Sequence, residues 1–200
     1  MTETSTSAFL ELVAGRRGHF QLESGHHGAL WLDLDALFAV PARIDPFVSA
    51  LADAIRPHNV DGVCGPLLGG AFLAQLVAQK LSAEFCFTER VMPAVRGGLY
   101  QARYVLPAAF HTRVRGRRLA IVDDVMSAGS ALRGTYSELC SHGATPVVAG
   151  ALLQLGTVGA QFFSEQGVAV SAVARDDYTL WSPEECPHCG AGTPVERPAG

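Results

Sequence analysis

The segment Arg118-Leu-Ala-Ile-Val-Asp-Asp-Val-Met-Ser-Ala-Gly-Ser-Ala131 decides how this chain folds and where its chemistry sits. Leu119-Ala-Ile-Val122 is wholly apolar, the pattern of a central strand buried on both faces of a sheet. It runs into Asp123 and Asp124. Adjacent carboxylates directly after a buried strand are costly unless they meet cations or hydroxyls. A ribose diol and a bound Mg²⁺ are partners of that kind. Ser127-Ala-Gly-Ser-Ala131 then opens a helix. Small residues there let backbone N–H groups close on an anion, and the helix dipole favours it. The serine hydroxyls add donors. Acids for a diol, with a phosphate cradle one turn later, form a donor set suited to a sugar 5-phosphate. No Gly-Lys-Ser/Thr follows, which excludes a Walker A loop, and the Rossmann G-x-G-x-x-G pattern is missing.

The flanking sequence alternates strands and helices. Val60–Cys64 reads as a short buried strand, followed by the loop Gly65-Pro-Leu-Leu-Gly-Gly70 and a helix carrying Phe72, Leu76, Val77 and Leu81 on one face. Strands are expected at 84–87, 119–122, 145–153 and 168–173, and helices at 129–142 and 158–166. Residues 88–117 read as irregular, with a hairpin around Gly97-Gly98. Upstream, a helix is expected over 7–16, a strand pair over 19–34 broken by a turn at 24–28, and a helix over 45–56 capped by Asp45 with Pro46 in its first turn. Such alternation predicts an α/β fold with a central, mostly parallel sheet flanked by helices, and ligands beyond the carboxyl ends of its strands. A single domain over 1–200 is expected: hood elements in 1–40, the core in 45–175, and a Cys-, Pro- and Gly-rich tail in 176–200.

Composition sets the outer bounds. Hydrophobic residues make up 48% and charged residues 17%, enough apolar surface for a substantial core. A net charge of -4 argues against non-specific nucleic-acid binding. The apolar runs are strand-length and the N-terminus lacks a basic region followed by an apolar stretch, so a soluble cytoplasmic protein is the expectation. Five scattered cysteines without an export signal argue against structural disulfides. Lys80 is the only lysine.

Ile121–Ala131 resembles the phosphoribosyl pyrophosphate (PRPP) motif of type I phosphoribosyltransferases. The resemblance implies that Asp123 and Asp124 contact the ribose hydroxyls and that Val125, Met126, Ser127, Ala128, Gly129, Ser130 and Ala131 surround the 5-phosphate. Pro66, Leu67, Leu68, Gly69 and Gly70 are similar to that family's pyrophosphate loop. Gly18-His-Phe-Gln-Leu-Glu-Ser-Gly-His-His-Gly28 is similar to the opening of orotate phosphoribosyltransferases, and Pro183–Pro194 resembles the end of some bacterial members. The resemblance implies the family's fold with a small hood and a mobile loop, a homodimer, Mg²⁺ as cofactor, and PRPP and a base, orotate first, as substrates. A base lacking the orotate carboxylate, or a non-catalytic PRPP-binding regulator, is the alternative.

Three departures bear on that implication. His26 or His27 stands where orotate enzymes usually carry a lysine. Glu89–Gly98, matching the mobile loop, has neither lysine nor histidine, which leaves Arg90 and Arg96 as catalytic candidates, with Arg103 and Arg113 behind them. Leu153–Gly156 lacks the Asp-Arg pair whose arginine meets the orotate carboxylate. His26, His27 and Trp31 are candidate base contacts. Cys186 and Cys189 supply two zinc ligands, whereas a structural site normally needs four, so a site shared across a dimer is one reading.

Overall fold

The computed structural model describes residues 3–21, 27–34, 36–91 and 103–197. Helix α1 (Glu3–Leu12) leads into strands β1 (Arg16–Gln21) and β2 (His27–Trp31). Then follow α2 (Pro41–Ile55), β3 (Gly62–Pro66), α3 (Gly69–Leu81), β4 (Glu84–Val91), β5 (Arg103–Val105) and the short α4 (His111–Val114). The second half runs β6 (Arg118–Met126), α5 (Ser130–Ser141), β7 (Thr145–Leu155), α6 (Val158–Glu165), β8 (Ala169–Asp176), β9 (Leu180–Trp181) and α7 (Pro187–Gly190).

The main sheet has the order β5-β4-β3-β6-β7-β8. All its pairs are parallel except β4 with β5, where Arg90 faces Tyr104 across an antiparallel edge. The fold is therefore the expected α/β one. Strand β6 shows why it is central. Ala120 and Val122 enter the core formed with α1, α2 and α3, while Ile121 between them enters the core formed with α5 and α6. The strand's two-residue period thus supplies both layers. A second, smaller sheet has the order β1-β2-β9 and is antiparallel.

Several boundaries differ from the sequence expectation. Helix α1 starts earlier and ends at Leu12, not residue 16. Helix α2 starts at Pro41, whose fixed φ suits the first helical position, and Pro46 lies inside the helix. Strand β6 continues through Asp123 and Asp124 to Met126, because pairing with β7 persists from Asp123↔Ala151 to Met126↔Gln154. In α3 the buried face is Gly70, Ala71, Leu73, Ala74, Val77 and Ala78. Phe72 points outward at 44% exposure, beside Phe38. The described parts of 88–117 hold more regular structure than expected, since β4 extends to Val91 and β5 pairs beside it. The expected hairpin tip at 97–98 lies outside the described residues.

Candidate active site

Strands β3 and β6 are parallel neighbours, so the loops after them leave the same edge of the sheet. The loop after β3 is pulled close by glycines. A Cβ on Gly65 would overlap the Gly70 carbonyl. A Cβ on Gly69 would overlap Asp124 Oδ2, and one on Gly70 would stand 2.8 Å from Asp123 Oδ1. Only hydrogen at these positions lets the 65–70 loop pack directly on the two carboxylates. Leu67 N–H donates to the Thr88 carbonyl at 2.8 Å, and Leu68 is exposed. The Leu67–Leu68 peptide is cis.

The acids are held by their own backbone. Asp124 N–H donates to Asp123 Oδ1 at 3.1 Å, and Val125 N–H donates to Asp124 Oδ1 at 2.7 Å. Burial pushes the Asp123 carboxyl well above the usual carboxylate range, and the neighbouring Asp124 charge pushes it further. Burial raises Asp124 too, partly opposed by the Val125 N–H. No arginine, lysine or histidine forms an ion pair with either acid among the described residues. Such a pair is poised to meet hydroxyls or a cation.

One turn on, Gly129 caps α5 with φ +73, a left-handed conformation that a side chain would strain. The turn brings Ser127, Ala128, Gly129 and Ser130 around an open hollow of about 350 Å³ that also includes Asp123, Val125 and Ala131. Its far wall is Leu155, Tyr178 and Leu180. Burial holds the Tyr178 phenol up at about 12, so it stays a neutral hydroxyl at physiological pH. Nothing local in the sequence marks this wall, because Leu155, Tyr178 and Leu180 are far from the Asp pair along the chain.

The chain is 30% identical over 181 residues to the orotate phosphoribosyltransferase of Thermotoga petrophila, covering 90% of this chain and 89% of that one. It is also 30% identical over 192 residues to that of Thermus thermophilus, covering 96% and 94%. The chain belongs to the orotate phosphoribosyltransferase family. That makes it an enzyme of the pentosyltransferase class. Among solved structures, orotate phosphoribosyltransferase from Aeropyrum pernix matches with TM-score 0.66 and 23% identity, over 85% of this chain and 92% of that one. Adenine phosphoribosyltransferase from Rhodothermus marinus matches with TM-score 0.67 and 18% identity, over 88% and 100%. The fold is thus common to both branches and does not choose the base. No family model matches the chain.

Set in this family, the remaining candidates divide. Arg90 lies exposed on β4 opposite Tyr104. Burial raises the Tyr104 pKa, the Arg90 charge lowers it and Asp123 raises it, so these three side chains share one neighbourhood. Tyr104 was not among the sequence candidates. Arg103 is exposed on β5, while Arg113 pairs with Glu84 at 3.2 Å and belongs to the other end of the sheet. Arg96 and His26 lie outside the described residues. Met126 is fully buried in the core and does not line the hollow.

His27 is corrected as a base contact. It is 5% exposed, and its Nδ1 lies 2.9 Å from His19 Nε2. Trp31 carries the Arg16 guanidinium over its ring at 5.3 Å, which occupies one of its faces. Gln154 is 8% exposed and turns back to donate to the Gly156 carbonyl at 2.9 Å. The reading of Cys186 and Cys189 as half a site that a second chain completes is also corrected, since His19 and His27 of the same chain meet both sulfurs.

Proposed function

We propose that this enzyme transfers the 5-phosphoribosyl group of PRPP to a ring nitrogen of orotate, forming orotidine 5′-phosphate and releasing pyrophosphate. The observation that carries this reading is the packing of Asp123 and Asp124 directly on Gly69 and Gly70, with the Ser127–Ala131 cradle one turn away. In this scheme the cradle's N–H groups and hydroxyls hold the 5-phosphate, Asp123 and Asp124 accept the ribose hydroxyls, and the 66–70 backbone receives the pyrophosphate. The bond from the anomeric carbon to pyrophosphate breaks as the bond to the base nitrogen forms, through an oxocarbenium-like state next to the two carboxylates. Asp123 and Asp124 offer hard carboxylate oxygens that would help hold a Mg²⁺ bound together with PRPP, and such an ion would supply positive charge for the departing pyrophosphate. Arg90 and Arg96 supply cationic guanidinium groups in place of the missing lysines. We read the protein as a homodimer of the cytoplasm, as its family implies.

Gln154 favours a second reading. With glutamine at this position and its side chain committed to Gly156, an acceptor without the orotate carboxylate fits equally well. Calorimetry with PRPP and Mg²⁺ tests the common part of both readings. PRPP should bind, and ribose 5-phosphate should bind more weakly because it lacks the pyrophosphate. Equal affinity for the two would contradict the role given to the 66–70 loop.

A further inference from the structure

Outside the Asp pair, the described residues converge at one other cluster of metal-ligating side chains. His19 on β1, His27 on β2, and Cys186 and Cys189 at α7 bring one ligand atom each to within 4.8 Å of all the others. Cys186 Sγ lies 3.4 Å from His19 Nε2, and Cys189 Sγ lies 3.7 Å from His19 Nε2 and 3.3 Å from His27 Nδ1. Tetrahedral zinc, with bonds of about 2.3 Å to sulfur and about 2.0–2.1 Å to nitrogen, separates N and S ligands by about 3.6 Å. The three N···S separations match that edge within a few tenths of an ångström. A hydrogen-bonded histidine pair accounts for the 2.9 Å between the two nitrogens, but it does not gather two sulfurs around them.

We infer that His19 Nε2, His27 Nδ1, Cys186 Sγ and Cys189 Sγ form a structural zinc site that fastens the C-terminal segment to the N-terminal sheet. Four protein ligands leave no open position, which is the pattern of a structural rather than a catalytic site. Two thiolates and two neutral imidazoles also cancel the charge of the ion, so the assembly can be buried without an unpaired charge. His19, His27 and Cys186 are 2%, 5% and 3% exposed, and Cys189 closes the cluster on its solvent side. The outer contacts agree. His19 Nδ1 is 2.9 Å from the Thr193 carbonyl, which fixes the N–H on that nitrogen and turns the lone pair of Nε2 toward the sulfurs. His188, between the two cysteines, does not join the ligand set and stacks on His19 with ring centroids 5.3 Å apart.

The segment is otherwise tied mainly at its far end, where Glu196 bridges to Phe20 and exchanges backbone hydrogen bonds with His19 and Gln21. Strand β9 pairs with β2 at only two positions, His27↔Trp181 and Gly28↔Leu180, and α7 is a single turn in which no residue is buried. The ligand His27 is next to Gly28, where a Cβ would stand 2.5 Å from the Tyr178 hydroxyl. Tyr178 and Leu180 are the far wall of the 127–131 hollow. Zinc at this site therefore holds one wall of the candidate active site in place.

The test is metal content and cobalt spectroscopy on the whole protein. Protein expressed with zinc should contain one zinc per chain by plasma mass spectrometry. Replacing zinc with Co²⁺ should give the intense visible bands of tetrahedral cobalt and thiolate charge-transfer bands. Chelation should lower Tm by about 5–15 °C, the scale expected for losing a few kcal/mol in a domain of this size. Cys189→Ser and His27→Gln should each reduce zinc content several-fold, whereas His188→Ala should keep it. Wild-type protein without zinc, or a cobalt spectrum that is octahedral and lacks thiolate bands, would overturn the proposal, and neither result depends on a variant folding.

Discussion

Asp123→Asn separates the catalytic reading from a purely structural one, because the substitution should move function and stability in opposite directions. The wild-type carboxyl is held above its ordinary range by burial and by Asp124, so ionising it in the folded protein costs free energy. An amide of the same shape removes that cost, so the variant should be more stable at neutral pH, read as an increase in Tm. The sign with pH follows from the raised pKa. The wild-type contribution is fully present below the ordinary carboxylate range and is lost as pH rises through the raised value. The variant's advantage should therefore vanish in acid and grow toward neutrality. Function moves the other way. A hydrogen bond to a charged acceptor contributes about 1.5–3 kcal/mol, so PRPP affinity should fall by about 10–150-fold. The assays are calorimetry with PRPP and thermal melts over a pH series. A variant that is less stable at neutral pH yet binds PRPP normally would refute the reasoning on both counts.

Gly129→Ala places a side chain at φ +73, with its Cβ 3.3 Å from Gly159 Cα. It should cost about 1–2 kcal/mol in a denaturant melt and weaken PRPP binding, through strain at the cap of α5. Thr88 and Thr135 share a fully buried hydroxyl–hydroxyl hydrogen bond of 2.7 Å between β4 and α5. Thr135→Val strands the Thr88 hydroxyl and should cost about 1–3 kcal/mol, while adding Thr88→Val should restore part of it, measured as the urea midpoint. A double variant less stable than the single one would contradict that bookkeeping.

The fold was legible where periodicity is strong. The apolar run Leu119–Val122 marked the central strand, and the two Gly-rich loops marked the sheet edge at which the Asp pair lies. The boundaries were less legible. Asp123 and Asp124 look like loop residues by polarity, but β7 holds them in the ladder. Phe72 has core spacing yet points outward, while Val77 is buried as expected beside Leu73 and the small residues Gly70, Ala71, Ala74 and Ala78, and Leu76 packs at the core's edge. The site was half visible. Adjacent acids and small residues have local signatures, whereas Tyr104, Tyr178 and Leu180 reach it only through tertiary packing. The Cys186–Cys189 pair was visible as half a ligand set. Its complement, His19 and His27, stands more than 150 residues away, and nothing local marks those histidines as ligands.

The central claim is turnover, and pyrophosphate release with PRPP, Mg²⁺ and a panel of bases tests it most directly. Release with orotate, formation of orotidine 5′-phosphate, and loss of both in Asp123→Asn are the expected results. Silence with every base, or turnover of another base while orotate alone stays unreacted, would contradict the assignment of orotate as acceptor.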